Sequence, residues 1–196
     1  YADSTYTPVK TEMYNRDLGS RSNEIAPRFH IYNTREDAIK LSDIRLNYFY
    51  TTDGPEDQIF EVDFAGIGSR YGSTINKNDV KCGFTKVDDS NLATKCVADI
   101  SFTRDDLYIQ AGEYLELQIR IHRPTWTKYV QENDFSFNPD SKNYEEWKKI
   151  AVYIDDRWVW GSIPLAYTEI IDPDPHEAEE NNTTYEQESK ESYVKI

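Results

Sequence analysis

Short runs that alternate between apolar and polar residues recur along the chain, with turn-forming residues between them. In YLELQIRI, positions 115, 117, 119 and 121 are apolar, and positions 116, 118 and 120 are polar. Successive side chains on a β-strand point to opposite faces, so this pattern predicts a strand with one buried face and one exposed face. Further runs of strand-forming residues are RFHIY, IRLNYFY, QIFEVDF, VKCGFTKV, CVADISF, IAVYI and RWVWG.

The segments between these runs carry turn signals rather than helical ones. TTDGPED follows IRLNYFY, and the pair DD at 155–156 separates IAVYI from RWVWG, which predicts a tight hairpin. No segment has a long period of 3.6 residues, and only NYEEWKK has the character of a short helical turn. The pattern therefore predicts an all-β fold of seven or more strands, either a sandwich or a barrel.

Composition and charge narrow the classes of partner. The 196 residues carry a formal net charge of −14, which excludes nucleic acid because phosphate binding requires a basic surface. No apolar run approaches the roughly 18 residues that span a bilayer, so we expect no membrane contact by this domain. Residues 1–8 form an N-terminal segment, 9–165 the domain, and 166–196 an acidic linker or tail with few core-forming residues.

The two cysteines, Cys82 and Cys96, lie in neighbouring predicted strands with the turn-like stretch DDSN between them. A hairpin would bring these strands together, and we predict a cross-strand disulfide. Such a bond would stabilise the fold by about 3 kcal/mol on the chain-entropy model. The alternative is a pair of buried free thiols.

Nothing in the sequence indicates catalysis. With 36 acidic residues, paired carboxylates arise by chance, and no motif singles out the two acids that a glycosidase needs. His30 and His122 have no serine or cysteine motif around them, and the sequence lacks a glycine-rich phosphate loop and zinc-ligand spacing. We expect a protein that binds rather than an enzyme.

The polar face of YLELQIRI and the segment after it are the candidate binding surface. Gln118 and Arg120 project from the exposed face, Pro124 ends the strand, and polar residues surround Trp126. Trp126 is therefore the tryptophan expected on the surface. On the residues alone, an ordinary ion pair at Arg120 and a loop anchor at Trp126 remain open alternatives.

Several motifs agree in order and spacing with one family. The segment from PRFHIYNTREDAIKLSDIRLNYFYTTDG to QIFEVDF, the motifs QIR, TW and YVQENDFSF, and the close NYEEWKKIAVYIDDRWVWG resemble a family 3 carbohydrate-binding module over residues 9–165. The resemblance implies a nine-stranded jelly-roll β-sandwich that carries calcium and binds crystalline cellulose or a related β-glucan. It also implies a secreted or cell-surface location, as part of a larger protein.

The resemblance assigns a planar binding strip. Asp63 and Arg120 match its acid–arginine pair, and Trp126 matches its tryptophan. Phe64 stands where the family has histidine, and Tyr71 is the candidate for its tyrosine in a shorter loop. Rigid rings would lie on the C–H faces of glucose at small entropic cost, and a bidentate Asp63–Arg120 pair would imitate a ring in outline.

Polar anchors flank this strip in the family, where they hydrogen-bond sugar edges. Asn23, Gln118 and Ser141 fit these positions in the present chain. Asp17 stands at a further position where the family has asparagine, which puts that contact in doubt.

The resemblance also assigns a calcium site. Asp53 in YTTDG and Asn133 and Asp134 in ENDFSF supply hard oxygen ligands, and the resemblance adds the backbone carbonyls of Thr51 and Val130. The ion would clip together two loops that are distant in sequence. The alternative is that these Asx residues only stabilise turns.

Three roles follow from the resemblance. The first is a non-catalytic module that tethers a larger extracellular protein to cellulose. The second is a helper or protein-interaction module that has lost cellulose binding, which the departures at Phe64 and Asp17 and the shortened loop near Tyr71 keep open. The third is the biomass-sensing ectodomain of a membrane anti-sigma regulator, to which the acidic tail points.

Overall fold

The computed structural model describes residues 7–68, 72–87 and 95–167. It divides into two compact units, Tyr1–Gly161 and Ser162–Ile196, and the strands below all lie in the first. Tyr71, most of the N-terminal segment and nearly all of the predicted acidic tail lie outside the described residues.

The described strands are short to medium in length and alternate with turns and three single-turn 3₁₀ helices, at Leu41–Asp43, Lys77–Asp79 and Gln131–Asn133. In chain order they are β1 (Val9–Asn15), β2 (Arg21–Ser22), β3 (Glu24–Ile25), β4 (Pro27–Asn33), β5 (Ile39–Lys40), β6 (Ile44–Thr51), β7 (Ile59–Gly68), β8 (Ser73–Thr74), β9 (Val80–Val87), β10 (Lys95–Phe102), β11 (Tyr108–Ile109), β12 (Tyr114–His122), β13 (Tyr129–Val130), β14 (Glu145–Glu146), β15 (Ala151–Ile154) and β16 (Arg157–Gly161).

Two sheets form the body of the domain, and every pairing among the described strands is antiparallel. The larger sheet has the order β14-β1-β4-β12-β7-β8, with β3 also paired to β12. The smaller sheet has the order β16-β15-β6-β10-β9. The pairs β11–β5 and β13–β2 form two further small sheets. The predicted all-β sandwich is confirmed; the count of nine strands stays a prediction.

The core follows from the predicted alternation. Strands β1 and β4 alternate strictly between buried and half-exposed side chains, and β12 does so from Tyr114 to Ile121. The inward residues of both sheets pack into one hydrophobic cluster that includes Phe29, Leu117, Leu46 and Ile100. The outward residues of β1, β4, β12 and β7 therefore lie together on the outer face of the larger sheet.

The hairpin predicted between IAVYI and RWVWG forms, but the helical turn considered for NYEEWKK does not. Asp155 and Asp156 both have positive φ, 50° and 61°, which confirms the tight hairpin between β15 and β16. NYEEWKK is not helical, since Glu145 and Glu146 extend the edge of the larger sheet by pairing with β1. Within the part of the chain that the structure describes, no helix has the length and apolar character needed to cross a membrane.

The predicted disulfide is wrong, because Cys82 and Cys96 are free thiols. The two residues do lie on adjacent strands, but Cys82 pairs with Ile100 and Cys96 with Lys86. Four residues of register separate the cysteines along the strands, about 13 Å. A disulfide needs Cα atoms within about 7 Å.

We therefore expect two alkylatable thiols in the unfolded, unreduced protein. Iodoacetamide added in guanidinium without reductant should label both cysteines, because neither is consumed in a bond to the other. Intact-mass spectrometry with and without prior reduction should give the same mass. A gain of two hydrogens on reduction would contradict this arrangement.

Candidate functional site

A β-bulge between β7 and β12 places two consecutive residues on the outer face of the larger sheet. Phe64 pairs with Gln118, but Val62 pairs with Ile119, so Asp63 is the extra residue on the bulged strand. Val62 packs against the core. Asp63 and Phe64 thus share the face that Gln118 and its outward neighbours occupy, as a regular strand would not allow.

Arg120 is held by three carboxylates on this face. Its Nε donates to both oxygens of Asp63, at 2.8 and 3.0 Å. Its Nη2 lies 2.9 Å from Glu61 Oε2, and its Nη1 lies 3.5 Å from Glu24 Oε2. The predicted acid–arginine pair therefore forms, but a single nitrogen makes both contacts with Asp63. The other two nitrogens contact Glu61 and Glu24, which the sequence prediction did not include.

This ion cluster fixes the plane of the guanidinium group. Arg16 forms a further ion pair with Glu24, so the cluster holds one carboxylate in excess over its two guanidinium groups. The Arg120 side chain is 25% exposed, so part of it remains accessible to a ligand. Cross-strand pairing places Glu61 opposite Arg120, a partner that only the strand register reveals.

Trp126 stands on the surface at the end of a turn that follows β12. The Trp126 amide donates to the Arg123 carbonyl at 3.0 Å, which closes a four-residue turn with Pro124 at its second position. Trp126 has a φ of 57°, a conformation that is unusual for a bulky side chain. The residue is 43% exposed, which agrees with the predicted surface position.

His122 forms a platform beneath the indole. The two rings are stacked with centroids 3.7 Å apart and an angle of 5° between their planes. Asn23 Nδ2 donates to the Trp126 carbonyl at 2.6 Å and holds the backbone of the turn. His122 Nδ1 lies 3.0 Å from the Arg123 carbonyl and must carry a hydrogen there, since a carbonyl only accepts. These contacts present one broad face of Trp126 to solvent.

The other strip residue that the structure describes is Phe64, which lies low against the sheet. A Cβ built on Gly66 would come within 2.9 Å of Phe64 Cζ, so the ring occupies the space that a side chain at Gly66 would fill. Phe64 is half-buried. Tyr71, the remaining predicted strip residue, lies outside the described residues.

The four predicted polar anchors lie at the surface or half-buried and are partly engaged within the protein. Gln118 donates to Glu116 at 3.1 Å beside Phe64, and Asn23 supports Trp126 as described. The hydroxyl of Ser141 donates to the Asn143 carbonyl. Asp17 accepts from the Gly19 amide at 2.9 Å, and this hydrogen bond lowers the pKa of its carboxyl.

The five residues named in the calcium prediction come together where the end of β6 meets β13 and the segment after it, but Thr51 and Val130 contact the others through a hydroxyl and backbone amides rather than through the predicted carbonyls. The Thr51 hydroxyl lies 2.9 Å from Asn133 Oδ1, 3.0 Å from Asp134 Oδ1 and 3.1 Å from Asp53 Oδ1. The Val130 amide donates to Asp53 Oδ2 at 2.8 Å. The two loops that the sequence separates by about 80 residues therefore share one cluster of oxygen atoms.

The chemistry of this cluster fits a hard cation. Asp134 Oδ1 also accepts from the Thr51 amide at 2.8 Å, but one hydroxyl hydrogen cannot satisfy all three acceptors around it at once. Asp134 Oδ2 is buried and has no hydrogen-bond partner among the described residues, and burial raises the pKa of this carboxyl well above its usual range. No group of three or more His, Cys, Asp or Glu side chains in the described ranges is arranged for a metal. A cation here would therefore rely on amide and carbonyl oxygens beside Asp53 and Asp134.

The oxygen cluster and the Trp126 turn are physically connected. Buried Arg123 lies 3.3 Å from the Asp53 carbonyl through Nη1, and its Nη2 donates to the Lys128 carbonyl. Glu56 accepts a hydrogen bond from the Thr125 hydroxyl at 2.7 Å, one residue before Trp126. A change at Asp53 would therefore reach the turn that carries the indole.

Comparison with known proteins places these features in a family. The family model described as "Cellulose binding domain" matches residues 10–161. Exoglucanase-2 of Thermoclostridium stercorarium is 36% identical over 153 residues, which are 78% of this chain and 16% of that protein. Anti-sigma-I factor RsgI4 of Acetivibrio thermocellus is 32% identical over 156 residues, 80% of this chain and 28% of that protein. The chain thus spans less than a third of either relative.

Similarity to solved structures agrees with the sequence match. The CBM3a-L domain with flanking linkers from scaffoldin cipA of the Clostridium thermocellum cellulosome has a TM-score of 0.73 and 34% sequence identity. The similarity covers 81% of this chain and 92% of that domain. Both comparisons apply to the β-sandwich that carries the ion cluster and Trp126. The chain belongs to the family 3 carbohydrate-binding modules, the cellulose binding domains.

Proposed function

We propose that this domain binds crystalline cellulose through a strip of Trp126, the Arg120–Asp63 pair and Phe64, without catalysing a reaction. The observation that carries the proposal is the shared exposure of these groups on one outer face of the larger sheet. Trp126 is exposed and supported from below, and Arg120 is fixed by carboxylates on the same face. Membership of the cellulose binding domain family supports the same function.

The chemistry of the face suits a neutral polysaccharide with apolar ring faces and hydroxyl edges. Indole and phenyl rings offer rigid contact area against C–H groups. Carboxylates that are already paired with Arg120 retain lone pairs that accept hydrogen bonds from sugar hydroxyls. Because Arg120 and its partners are ordered before binding, the protein loses little side-chain entropy when a ligand arrives.

Depletion from solution tests the proposal. The domain is mixed with microcrystalline cellulose, the suspension is spun, and protein in the supernatant is measured over a range of concentrations. We expect a saturable loss of protein from solution. Full recovery of the native domain in the supernatant at every cellulose loading would refute the proposed function.

We also propose that the oxygen cluster of Thr51, Asp53, Val130, Asn133 and Asp134 binds calcium with a structural role. The unpartnered buried oxygen of Asp134 and the three acceptors around one hydroxyl support this proposal. A bound calcium ion would supply positive charge to these acceptors. The protein residues would contribute two carboxylates, an amide oxygen and two backbone carbonyls, and they would hold the two loops together.

The larger protein is proposed to be extracellular or on the cell surface, with this domain as one covalently attached part. The relatives' greater lengths support a larger protein. A tether for a scaffold or enzyme is one role. A biomass-sensing role is the second candidate, favoured by the 32% identity with an anti-sigma-I factor. Both roles use the same cellulose-binding strip, so the depletion assay tests their shared premise.

Replacing Arg120 by lysine tests whether the planar guanidinium group matters to the strip. Arg120→Lys keeps the positive charge but removes the fork that contacts three carboxylates at once. We expect binding to microcrystalline cellulose to weaken by about three- to tenfold, as for the loss of one charge-assisted contact. The matched control is Arg157→Lys, which alters an exposed arginine on the smaller sheet. Equal affinity of both variants would contradict a role for Arg120.

A further inference from the structure

Two glycines on β7 allow aromatic rings to lie flat on the outer face of the larger sheet. The ring of Phe64 occupies the space above Gly66, and a Cβ on Gly68 would overlap the ring of Tyr114. Tyr114 comes from β12, where it pairs directly with Gly68. Neither ring could adopt this position if the glycine beneath it carried a side chain.

Tyr114 belongs to a larger group of rings on the same face. Its ring centroid lies 5.0 Å from that of Tyr32 and 4.4 Å from that of His30, with the rings tilted by 44° and 42°. Tyr144 stacks on His30 at 3.5 Å. These four residues, Tyr32, His30, Tyr114 and Tyr144, are named here the tyrosine–histidine cluster. All of them are half-buried, so each retains solvent-accessible surface.

The cluster continues the row of the proposed strip. His122, Arg120, Gln118, Glu116 and Tyr114 are the successive outward side chains of β12, and the row spans about 27 Å. Trp126 covers His122 at one end of this row, and Phe64 pairs with Gln118 in the middle. Tyr114 stands at the other end.

Lys10 and Glu116, two charged groups beside the cluster, each have a partner within the protein, which suits a neutral ligand. Lys10 lies 3.1 Å from Glu12 and 4.5 Å from the centre of the Tyr32 ring. Glu116 accepts from Gln118 at 3.1 Å and lies 3.7 Å from His30 Nε2. Burial lowers the pKa of His30 below its ordinary value, which keeps the imidazole neutral near pH 7.

We propose that Tyr114, laid over Gly68 and backed by Tyr32, is a further glucan-binding platform that extends the strip beyond Phe64. The inference rests on the proposed cellulose binding. Its ligand is the same glucan surface, which a longer row of rings would contact over more sugar units. A soluble oligosaccharide too short to reach from Trp126 to Tyr114 gains nothing from this platform.

Two substitutions of Tyr114 test the platform. Tyr114→Leu keeps an apolar side chain over Gly68 but removes the flat ring, and Tyr114→Phe keeps the ring and removes only the hydroxyl. In depletion isotherms on microcrystalline cellulose, we expect Tyr114→Leu to bind about three- to tenfold more weakly than the native domain. Tyr114→Phe should bind within about twofold of the native domain. Tyr108→Leu, which alters an exposed tyrosine on the small β11–β5 sheet, is the matched control.

A third variant examines the position of the ring rather than its presence. Gly68→Ala forces the Tyr114 ring off the sheet, and we expect weaker cellulose binding although every aromatic residue remains. Thermal melts of each variant establish that it is folded. If native protein binds and Trp126→Ala does not, but Tyr114→Leu and Gly68→Ala bind as the native domain does, the platform is refuted and the strip survives. If the native domain does not bind, the proposed function fails and the platform with it.

Discussion

Replacing Trp126 by alanine is expected to weaken adsorption to microcrystalline cellulose by tenfold or more. The indole is among the largest exposed apolar side chains of the described residues, and His122, Asn23 and the turn from Arg123 fix its orientation in advance. Anchors of this kind contribute about 2 kcal/mol or more to binding interfaces. The measurement is a depletion isotherm of native and variant protein at equal cellulose loading.

The control for this variant is Tyr108→Ala. Tyr108 is 44% exposed, slightly more than Trp126 at 43%, but it lies on β11, which pairs with β5 in a separate two-stranded sheet. We expect its isotherm to match that of the native domain, and the melting temperatures of both variants to stay close to the native value. Equal losses of binding in the two variants would mean that exposed rings adsorb nonspecifically, and the strip would lose its support.

Removing calcium is expected to lower the melting temperature by about 5–10 °C. A ligand present at about 100 times its dissociation constant stabilises the folded state, and that free energy corresponds to a melting-temperature shift of this size in a domain of this length. Without a cation, the buried carboxylate of Asp134 faces Asp53 and Asn133 across one shared hydroxyl. Thermal melts in EDTA, in excess calcium and in EDTA followed by calcium measure the effect.

Asp134→Asn is the matched variant for the metal site. It retains the shape of the side chain but removes the charge that burial disfavours. We expect its melting temperature to be the same in EDTA and in calcium. Because Arg123 joins the Asp53 loop to the Trp126 turn, the metal-free native domain should also bind cellulose more weakly. A native melt that does not respond to calcium would leave the Asx residues as turn formers only.

The layered β fold could be predicted from the sequence because apolar and polar residues alternate along the strands, and this pattern is visible in one sequence without any comparison. Strands β4 and β12 read as period-two runs, and both alternate in the structure. The hairpin between β15 and β16 could also be predicted, because two consecutive aspartates tolerate the positive φ that a tight turn requires. Trp126 could be placed on the surface because Pro124 ends the strand before it.

The remaining features depend on strand register, which the sequence does not encode locally. Without the register, the bulge at Asp63 and the pairing of Arg120 with Glu61 cannot be derived. The same gap made the disulfide prediction fail, since Cys82 and Cys96 are on adjacent strands but four positions apart. The proposed platform at Tyr114 could not be derived from the sequence, because only the pairing of Tyr114 with Gly68 shows that the ring has room over the sheet.

Hydroxyl-radical footprinting of the domain while it is bound to crystalline cellulose tests the binding face most directly. Side-chain oxidation is compared between free and adsorbed protein by mass spectrometry of peptides. We predict strong protection of Trp126 and Phe64 on the cellulose, with Tyr108 oxidised equally in both states. Unchanged oxidation of Trp126 in protein that is demonstrably adsorbed would show that another surface makes the contact.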